Sequence, residues 1–214
     1  MPNTVWASDR LIYRAVENDD EAFMIEINAH ETDYLNASPY LPRPIGKKST
    51  EGALKWLQES LLGVIVCLPP EGVDAAAVSP AVLTDTNKDA AKDKPKPTPI
   101  GFISLSNSPP HFAHHRNTSM AITIASKYQG KGYGSEGIKW ALEWAFMHAN
   151  LHRVEIGAFE FNKGASALYK RLGFVYEGTK RKHFWANGRY VDAIELAMLD
   201  EEWFARYGPK NQEA

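Results

Sequence analysis

The sequence predicts a mixed α/β (α+β) fold, with one central, mostly antiparallel sheet of about six or seven strands and helices on both faces. Two observations predict this class. Short apolar or alternating runs, typical of strands, are separated by longer segments whose apolar residues recur every three or four positions, as in helices. The pair Asn187-Gly188 lies between two alternating runs and indicates a tight antiparallel hairpin. The 214 residues suffice for a single domain over 1–214.

The elements follow one another in an order that suits this class. Asp19 or Asp20, and later Ser49 or Thr50, are suitable N-caps for two helices. Residues 63–68 are a continuous apolar run, which indicates a buried strand. In order, we expect a strand at 10–14, a helix from about 20 to 28, a loop at 30–48, a helix from about 50 to 61, strands at 63–68, 100–105 and 120–125, a helix at 135–149, a strand at 153–156, a helix at 162–172, strands from 174 and at 190–198, and a short helix from 200.

Residues 69–99 differ from the rest of the chain. They are rich in Ala, Asp, Lys, Thr and Pro and contain no aromatic residue. Such a composition buries too little apolar area to offset the entropy of ordering. We therefore expect a disordered insertion in the hairpin that its two flanking strands form. A mobile spacer is the simpler interpretation, and a docking arm for a partner is the alternative.

Composition excludes several classes of protein. The net charge of −2, from 24 basic and 26 acidic residues, gives no general attraction to nucleic acid. One cysteine, Cys67, excludes an intramolecular disulfide and suits a reducing compartment. The apolar run at 61–68 is too short to cross a membrane, and residues 1–10 show no secretory signal. We expect a cytoplasmic monomer or homodimer, with no nucleic-acid or membrane partner and no bound metal.

The most informative stretch is residues 129–134, Gln-Gly-Lys-Gly-Tyr-Gly, called the glycine turn below. It follows a predicted strand and precedes a predicted helix. Free backbone N–H groups at the positive end of a helix bind phosphate or pyrophosphate, and Lys131 adds a positive charge. No Ser or Thr follows Lys131, so the turn is not a P-loop, and its glycine spacing does not fit a dinucleotide fingerprint.

A second motif lies downstream, at residues 162–174. Asn162 is a suitable N-cap, and Gly173 lies where a left-handed C-cap is expected. One face of the intervening helix carries apolar residues at the required spacing. These residues are Ala165, Leu168, Tyr169 and Leu172.

Together the two motifs resemble the GNAT family of N-acetyltransferases. The first matches Q-x-x-G-x-G at Gln129, Gly132 and Gly134, and the second matches N-x-x-A-x-x-L-Y-x-x-x-G-F over 162–174. The resemblance covers 119–198 closely and the N-terminal half loosely. Within the family, the segments 151–155 and 187–192 look like the RimJ/RimL-type branch, which acetylates protein N-termini and includes small-molecule acetyltransferases.

This resemblance implies an enzyme that transfers an acetyl group from acetyl-CoA to a primary amine by direct attack on the thioester. The amine belongs to a small molecule or to a protein N-terminus. The sheet would be splayed at the cofactor site, where backbone groups of Ile122 and Ile124 pair with the pantetheine arm and Asn162 reaches the same arm. The expected cofactor-binding residues are Ile122, Ile124, Gln129, Gly130, Lys131, Gly132, Tyr133, Gly134, Ser135, Asn162 and Tyr169.

The resemblance also assigns a general acid. Tyr169 matches the family's tyrosine, and a phenol with a pKa of about 10 is close enough to a thiol at about 8.5 to share a proton. The alternative is that Tyr169 only packs on the apolar side of its helix.

The general base is left open. Many relatives in the branch carry a glutamate on the strand before the turn, where this chain has Ser119. Water relayed through Ser119, or one of Glu155, Asp192 and His111, could substitute. Glu155 is equally consistent with a structural ion pair to Arg153 or Lys139. The missing glutamate also leaves an alternative function, a CoA-binding GNAT-fold regulatory module without transfer activity.

Overall fold

A computed structural model describes residues 5–29, 34–36, 38–78 and 96–209. Within them the strands are β1 Ile12–Arg14, β2 Leu62–Leu68, β3 Thr98–Leu105, β4 Asn117–Ile124, β5 Arg153–Phe159, β6 Val175–Ala186 and β7 Arg189–Leu199. The helices are α1 Glu21–Ala29, α2 Lys47–Glu59, α3 Tyr133–Glu143, α4 Lys163–Leu172 and α5 Asp200–Tyr207.

The strands form a seven-stranded sheet in the order β1-β2-β3-β4-β5-β7-β6, with helices on both faces. The pairs β1–β2, β2–β3, β5–β7 and β6–β7 are antiparallel, whereas β4 and β5 are parallel. The predicted fold class is therefore confirmed. The contacts divide the chain into two compact units, Met1–Asn107 with Ala121–Trp140, and Ser108–Met120 with Ala141–Ala214. A single domain over 1–214 stays a prediction.

The first unit has helices on both sides of its strands. On one side, Phe102 belongs to a buried cluster that also holds side chains of α1 and α2. On the other side, a Cβ added to Gly137 of α3 would lie 2.9 Å from Cδ1 of Ile103, the next residue along β3. Because successive residues of a strand point to opposite faces, β3 is covered by helices on both. Cys67 is fully buried in the cluster that holds the side chains of α1 and α2, called the α1–α2 cluster below.

The predicted insertion is described only at its two ends. Leu68 pairs with Thr98, so β2 and β3 form the expected antiparallel hairpin. Ala75–Ala77 form a 3-10 turn, and Ala75 and Val78 are buried in the α1–α2 cluster. This end of the predicted insertion is therefore packed against a core that other elements make. Residues 79–95 lie outside the described residues, and their disorder stays a prediction.

The second unit contains the long β6–β7 hairpin. Asn187 and Gly188 both have positive φ, 50° and 76°, as a two-residue hairpin turn requires.

The predicted helix at 135–149 differs from the observed one. The observed helix, α3, begins at Tyr133. After Glu143 the chain continues as a π-helical turn, Trp144–His148. There the Ala149 N–H donates to the Trp144 carbonyl.

No helix in the described parts of the chain is both long enough and apolar enough to cross a membrane.

Candidate functional site

The glycine turn leads directly into α3. Gly130 and Gly132 have φ of +73° and +87°, in the left-handed region that side chains disfavour. The Glu136 N–H donates to the Gly132 carbonyl at 3.1 Å and makes the first helical hydrogen bond. The N–H groups of residues 133–135 therefore have no acceptor within the helix. Amides at a helix N-terminus favour an anion, so the predicted turn has the geometry of a phosphate site.

Gln129 braces the turn from inside. Its side-chain Nε2 donates to the backbone carbonyl of Ile124 at 2.7 Å, which ties the turn to the end of β4. The motif glutamine is thus already engaged in holding the backbone of the turn. Direct contact between Gln129 and a cofactor stays a prediction. Lys131, in the same turn, is exposed to solvent.

A charged network on the turn was missed by the sequence reasoning. Arg10 donates from Nε to Oε2 of Glu136 at 2.8 Å and from Nη1 to the Lys131 carbonyl at 3.1 Å. Its guanidinium also lies 4.8 Å from the centre of the Tyr133 ring. Arg10 and Glu136 are 126 residues apart, so no local spacing pattern could have paired them.

The second half of β4 is bound to β3 along one edge. The Ala125 N–H donates to the Ile100 carbonyl at 2.9 Å, and a Cβ on Gly101 would lie 2.2 Å from the Thr123 carbonyl. Ile124 is buried and Ile122 is half-buried. The pairing of their backbone groups with a pantetheine arm stays a prediction, as does the splay of the sheet.

In the second unit, β4 and β5 place two predicted catalytic residues side by side. Their register runs from Asn117 opposite Arg153 to Ser119 opposite Glu155. Both Ser119 and Glu155 are exposed. A general base at either position would therefore work in contact with solvent.

Glu155 belongs to an ion-paired group. Arg153 donates from Nε to Oε1 of Glu155 at 2.9 Å and also binds the carboxylate of Glu177 with both Nη atoms. This ion pair lowers the pKa of Glu177 and raises that of Arg153. Of the two ion-pair partners predicted for Glu155, the observed one is Arg153. The catalytic role of Glu155 stays a prediction.

Tyr169 lies on the buried face of α4. It is 7% exposed, and its ring centre lies 6.0 Å from that of Phe174. Burial alone raises its pKa to about 12. Among the described residues its hydroxyl has no hydrogen-bond partner. Burial disfavours the charged phenolate, so the phenol stays neutral. This state suits a proton donor, but it also suits a packing role.

The ends of α4 agree with the sequence. The Asn162 side chain accepts from the Ala165 N–H at 3.1 Å, which confirms the N-cap. Gly173 has φ of 101° and ends the helix in the left-handed conformation, as predicted. The role of Asn162 at the pantetheine arm stays a prediction.

The two remaining candidate bases are less well placed. Asp192 accepts the Lys182 N–H at 2.7 Å and is therefore engaged with the backbone of the hairpin. His111 lies on an exposed 3-10 turn, with its ring against Phe112. In the described ranges, no group of three or more His, Cys, Asp or Glu residues could hold a metal.

An open groove of about 440 Å³ lies beside α4 in the second unit. Its walls include Lys163 and Lys170 of α4 and Tyr176 of β6. None of the predicted catalytic or cofactor residues lines it.

Comparison with known proteins agrees with the motifs. The Acetyltransferase (GNAT) domain family matches residues 10–175. Spermidine N(1)-acetyltransferase of Escherichia coli K12 is 31% identical over 98 residues, 46% of this chain and 53% of that protein. The Vibrio cholerae enzyme of the same name is 36% identical over 92 residues, 43% of this chain and 53% of that protein. The chain thus matches about half the length of these curated relatives.

A solved structure shares the fold. The crystal structure of spermidine N-acetyltransferase from Vibrio cholerae in complex with CoA and spermine superposes with a TM-score of 0.66 at 24% identity, covering 91% of this chain and 98% of the other. The family match covers most of the chain, including the glycine turn and both ends of α4. The chain therefore belongs to the GNAT acetyltransferase family.

Proposed function

We propose that the protein is an N-acetyltransferase that uses acetyl-CoA and a primary amine. The observation that carries this proposal is the start of α3, where amides without an acceptor inside the helix follow two left-handed glycines within the family match. CoA carries a pyrophosphate, and a helix N-terminus beside Lys131 suits that group. The comparisons give no support to the alternative of a regulatory module without transfer activity.

The glycine turn fits the pyrophosphate on its own geometry. A Cβ at Gly130 would have nothing within 4 Å, and a Cβ at Gly132 would lie 3.2 Å from Nη2 of Arg10, so a guanidinium lies against the turn. Residues 133–135 would donate their backbone N–H groups, Lys131 would add charge, and Gln129 would hold the turn in shape. The backbone of Ile122 and Ile124 and the side chain of Asn162 are proposed for the pantetheine arm.

Tyr169 is proposed as the general acid. Acetyl-CoA supplies an activated thioester carbonyl, and attack by the amine nitrogen forms the new C–N bond. Tyr169 would donate its phenolic proton to the sulfur as the C–S bond breaks, and the proton that the amine loses would restore the phenol through solvent. The products are an amide and a free thiol. Since its pKa is about 12, Tyr169 stays protonated throughout the neutral range.

No residue is proposed as the general base, and Ser119 and Glu155 stay the predicted candidates for accepting the proton that the amine loses. Their neighbouring register supports a relay through water from Ser119 to Glu155. The ion pair between Glu155 and Arg153 opposes it, because the Glu155 carboxylate already accepts a hydrogen bond from Nε of Arg153. An amine that arrives already neutral would need no such residue.

For the acceptor we propose a polyamine. The two curated relatives reported above are spermidine acetyltransferases, which favours a small aliphatic polyamine over a protein N-terminus. The RimJ/RimL-type branch stays a prediction that these relatives do not support. The oligomeric state and the cytoplasmic location also stay predictions.

The test is a titration of the purified chain with acetyl-CoA by calorimetry, followed by thiol release in the same sample. The amines added are spermidine, spermine, a free amino acid and a peptide with an unblocked N-terminus. We expect binding of acetyl-CoA, and thiol release only with the two polyamines.

Three other results are informative. Release with the peptide alone would overturn the polyamine proposal and support the RimJ/RimL-type prediction. Binding without release for any amine would overturn the transferase proposal and return the regulatory module. Failure to bind acetyl-CoA would overturn the assignment of the glycine turn.

A further inference from the structure

We propose that Arg10 is a positioning residue for the glycine turn, which acts by masking the carboxylate of Glu136 and by fixing the carbonyl of Lys131. This inference rests on the proposed function, because it assumes that the turn binds the pyrophosphate of CoA. Arg10 precedes β1, and neither motif includes it.

Glu136 creates the need for such a residue. It lies in the first turn of α3, one residue beyond the amides proposed to hold the pyrophosphate. A carboxylate there is favourable for the helix itself, since it faces the positive end of the dipole. For an incoming pyrophosphate, however, an uncompensated carboxylate a few ångströms away is repulsive.

The hydrogen bonds around Glu136 remove this conflict. Oε1 accepts the Arg10 backbone N–H at 2.7 Å and the Ser8 hydroxyl at 2.7 Å. Oε2 accepts a hydrogen bond from Nε of Arg10 at 2.8 Å, and Nη2 of Arg10 lies 2.8 Å from the same oxygen as an ion pair. The carboxylate is only 13% exposed, and its charge is matched by one guanidinium. It is therefore neutralised and turned toward the chain segment before β1.

The same guanidinium orients the turn. Nη1 donates to the Lys131 carbonyl at 3.1 Å, which holds that carbonyl away from a ligand. With this peptide fixed, the following N–H groups keep one orientation toward the anion. The Arg10 side chain is half exposed, so its position depends on these bonds and on the Tyr133 ring rather than on burial.

A buried assembly anchors the segment that carries Arg10. The Ser8 hydroxyl lies 2.9 Å from the Tyr13 hydroxyl, and the Tyr13 ring stacks on Trp140 of α3 with centroids 3.6 Å apart. Tyr13 is almost fully buried, and this burial raises its pKa far above the ordinary value. The segment before β1 thus forms a rigid support for the start of α3.

The experiment compares Arg10→Ala, Arg10→Lys, Glu136→Gln and the double variant Arg10→Ala/Glu136→Gln. We expect Arg10→Ala to weaken CoA binding by about tenfold or more, consistent with loss of charge-assisted bonds. Its KM for acetyl-CoA should rise while kcat and the KM for the amine stay unchanged. The CoA affinity of Arg10→Lys should lie between those of wild type and Arg10→Ala, because lysine keeps the positive charge but lacks the planar set of guanidinium donors.

The double variant tests whether the unmasked charge of Glu136 causes the loss of affinity. Removing the carboxylate together with the arginine should recover most of the lost affinity, because no unmasked charge remains. Affinity for pantetheine, which lacks the pyrophosphate, should be the same in all four variants. Lys127→Ala is the matched control, since it removes an exposed ion pair with Glu26 just before the turn.

Unchanged CoA affinity in Arg10→Ala would overturn the inference, and so would a double variant no better than Arg10→Ala. Thermal unfolding of the CoA-free variants is measured alongside. If Arg10→Ala does not fold, Arg10→Lys decides by the same criteria. If the wild-type chain itself fails to bind CoA, the proposed function is overturned instead.

Discussion

The glycine turn and α4 place their predicted functional groups by opposite means. The turn is a solvent-facing backbone held in shape by polar side chains, namely Gln129, Arg10 and Glu136. Tyr169 is held by burial, and no hydrogen bond to a described residue orients its hydroxyl. Charges and hydrogen bonds fix the orientation of the backbone groups at the turn. At Tyr169, exclusion of water keeps the phenol protonated.

The difference indicates how each region will respond to change. A backbone anion site fails when its shape or its charge is altered, even if the fold is intact. A buried phenol fails when its hydroxyl is removed, even if its ring still packs. Substitutions at the two regions should therefore separate binding from chemistry.

The largest effect is expected for Gly132→Glu. The variant places a carboxylate against the pyrophosphate and a side chain on a backbone with φ of +87°, so CoA affinity should fall by about 1000-fold or more. Calorimetric titration with CoA measures this. Gly72→Glu is the matched control, because Gly72 has a similar φ of +75° with nothing within 4 Å of an added Cβ. Equal loss in both variants, or CoA affinity retained in Gly132→Glu, would contradict the comparison.

Tyr169→Phe should give the next largest effect. Loss of the proton donor should lower kcat by about 100-fold while CoA affinity changes little, since the ring remains in place. Steady-state kinetics and a CoA titration of the same sample measure the two quantities. Tyr176→Phe is the control, because its exposed hydroxyl bonds only to Thr179 among the described residues. Full activity in Tyr169→Phe would assign Tyr169 to packing.

A smaller effect is expected on stability in alkali. The folded-state pKa of Tyr169, about 12, lies above the ordinary value of about 10, so its contribution is complete below pH 10 and is lost as pH rises toward 12. By pH 11 the free energy of unfolding should have lost about 1.4 kcal/mol from this residue. Urea unfolding at pH 8 and pH 11 should show a smaller decline for Tyr169→Phe. Equal declines would mean that Tyr169 is less buried than described.

The smallest effect is expected for Glu155→Gln. As an exposed partner of Arg153, Glu155 contributes little to stability, and kcat should stay within about twofold of wild type. Glu177→Gln removes the other partner of Arg153 and serves as the control. The pH profile of kcat decides the matter. A drop of about 100-fold confined to Glu155→Gln would make it the general base.

The sequence predicted those parts of the site that depend on local chemistry. Glycines at 130 and 132, the Asn162 cap and the Gly173 end of α4 all follow from backbone preferences within a few residues. The start of α3 at Tyr133, two residues early, shows that a glycine inside the first turn does not prevent a helix.

The missed parts depend on residues far apart in the chain. Arg10 meets Glu136 only because β1 and the start of α3 belong to the same unit, and no periodicity records that meeting. Ala75 and Val78 were assigned to a disordered segment by composition, yet they fill a core made by other elements. Glu155 lies opposite Ser119 in the register of β4 and β5, and a run of strand-forming residues alone does not define that pairing.

The single cysteine has a practical consequence. Cys67 is fully buried, and burial raises the pKa of its thiol to about 11. A thiol-reactive dye added near neutral pH should therefore react with the CoA released by turnover and leave the folded protein unlabelled. Cys67 itself should be labelled only slowly, at a rate that reports opening of the first unit's core. This rate can be recorded in the same cuvette as catalysis.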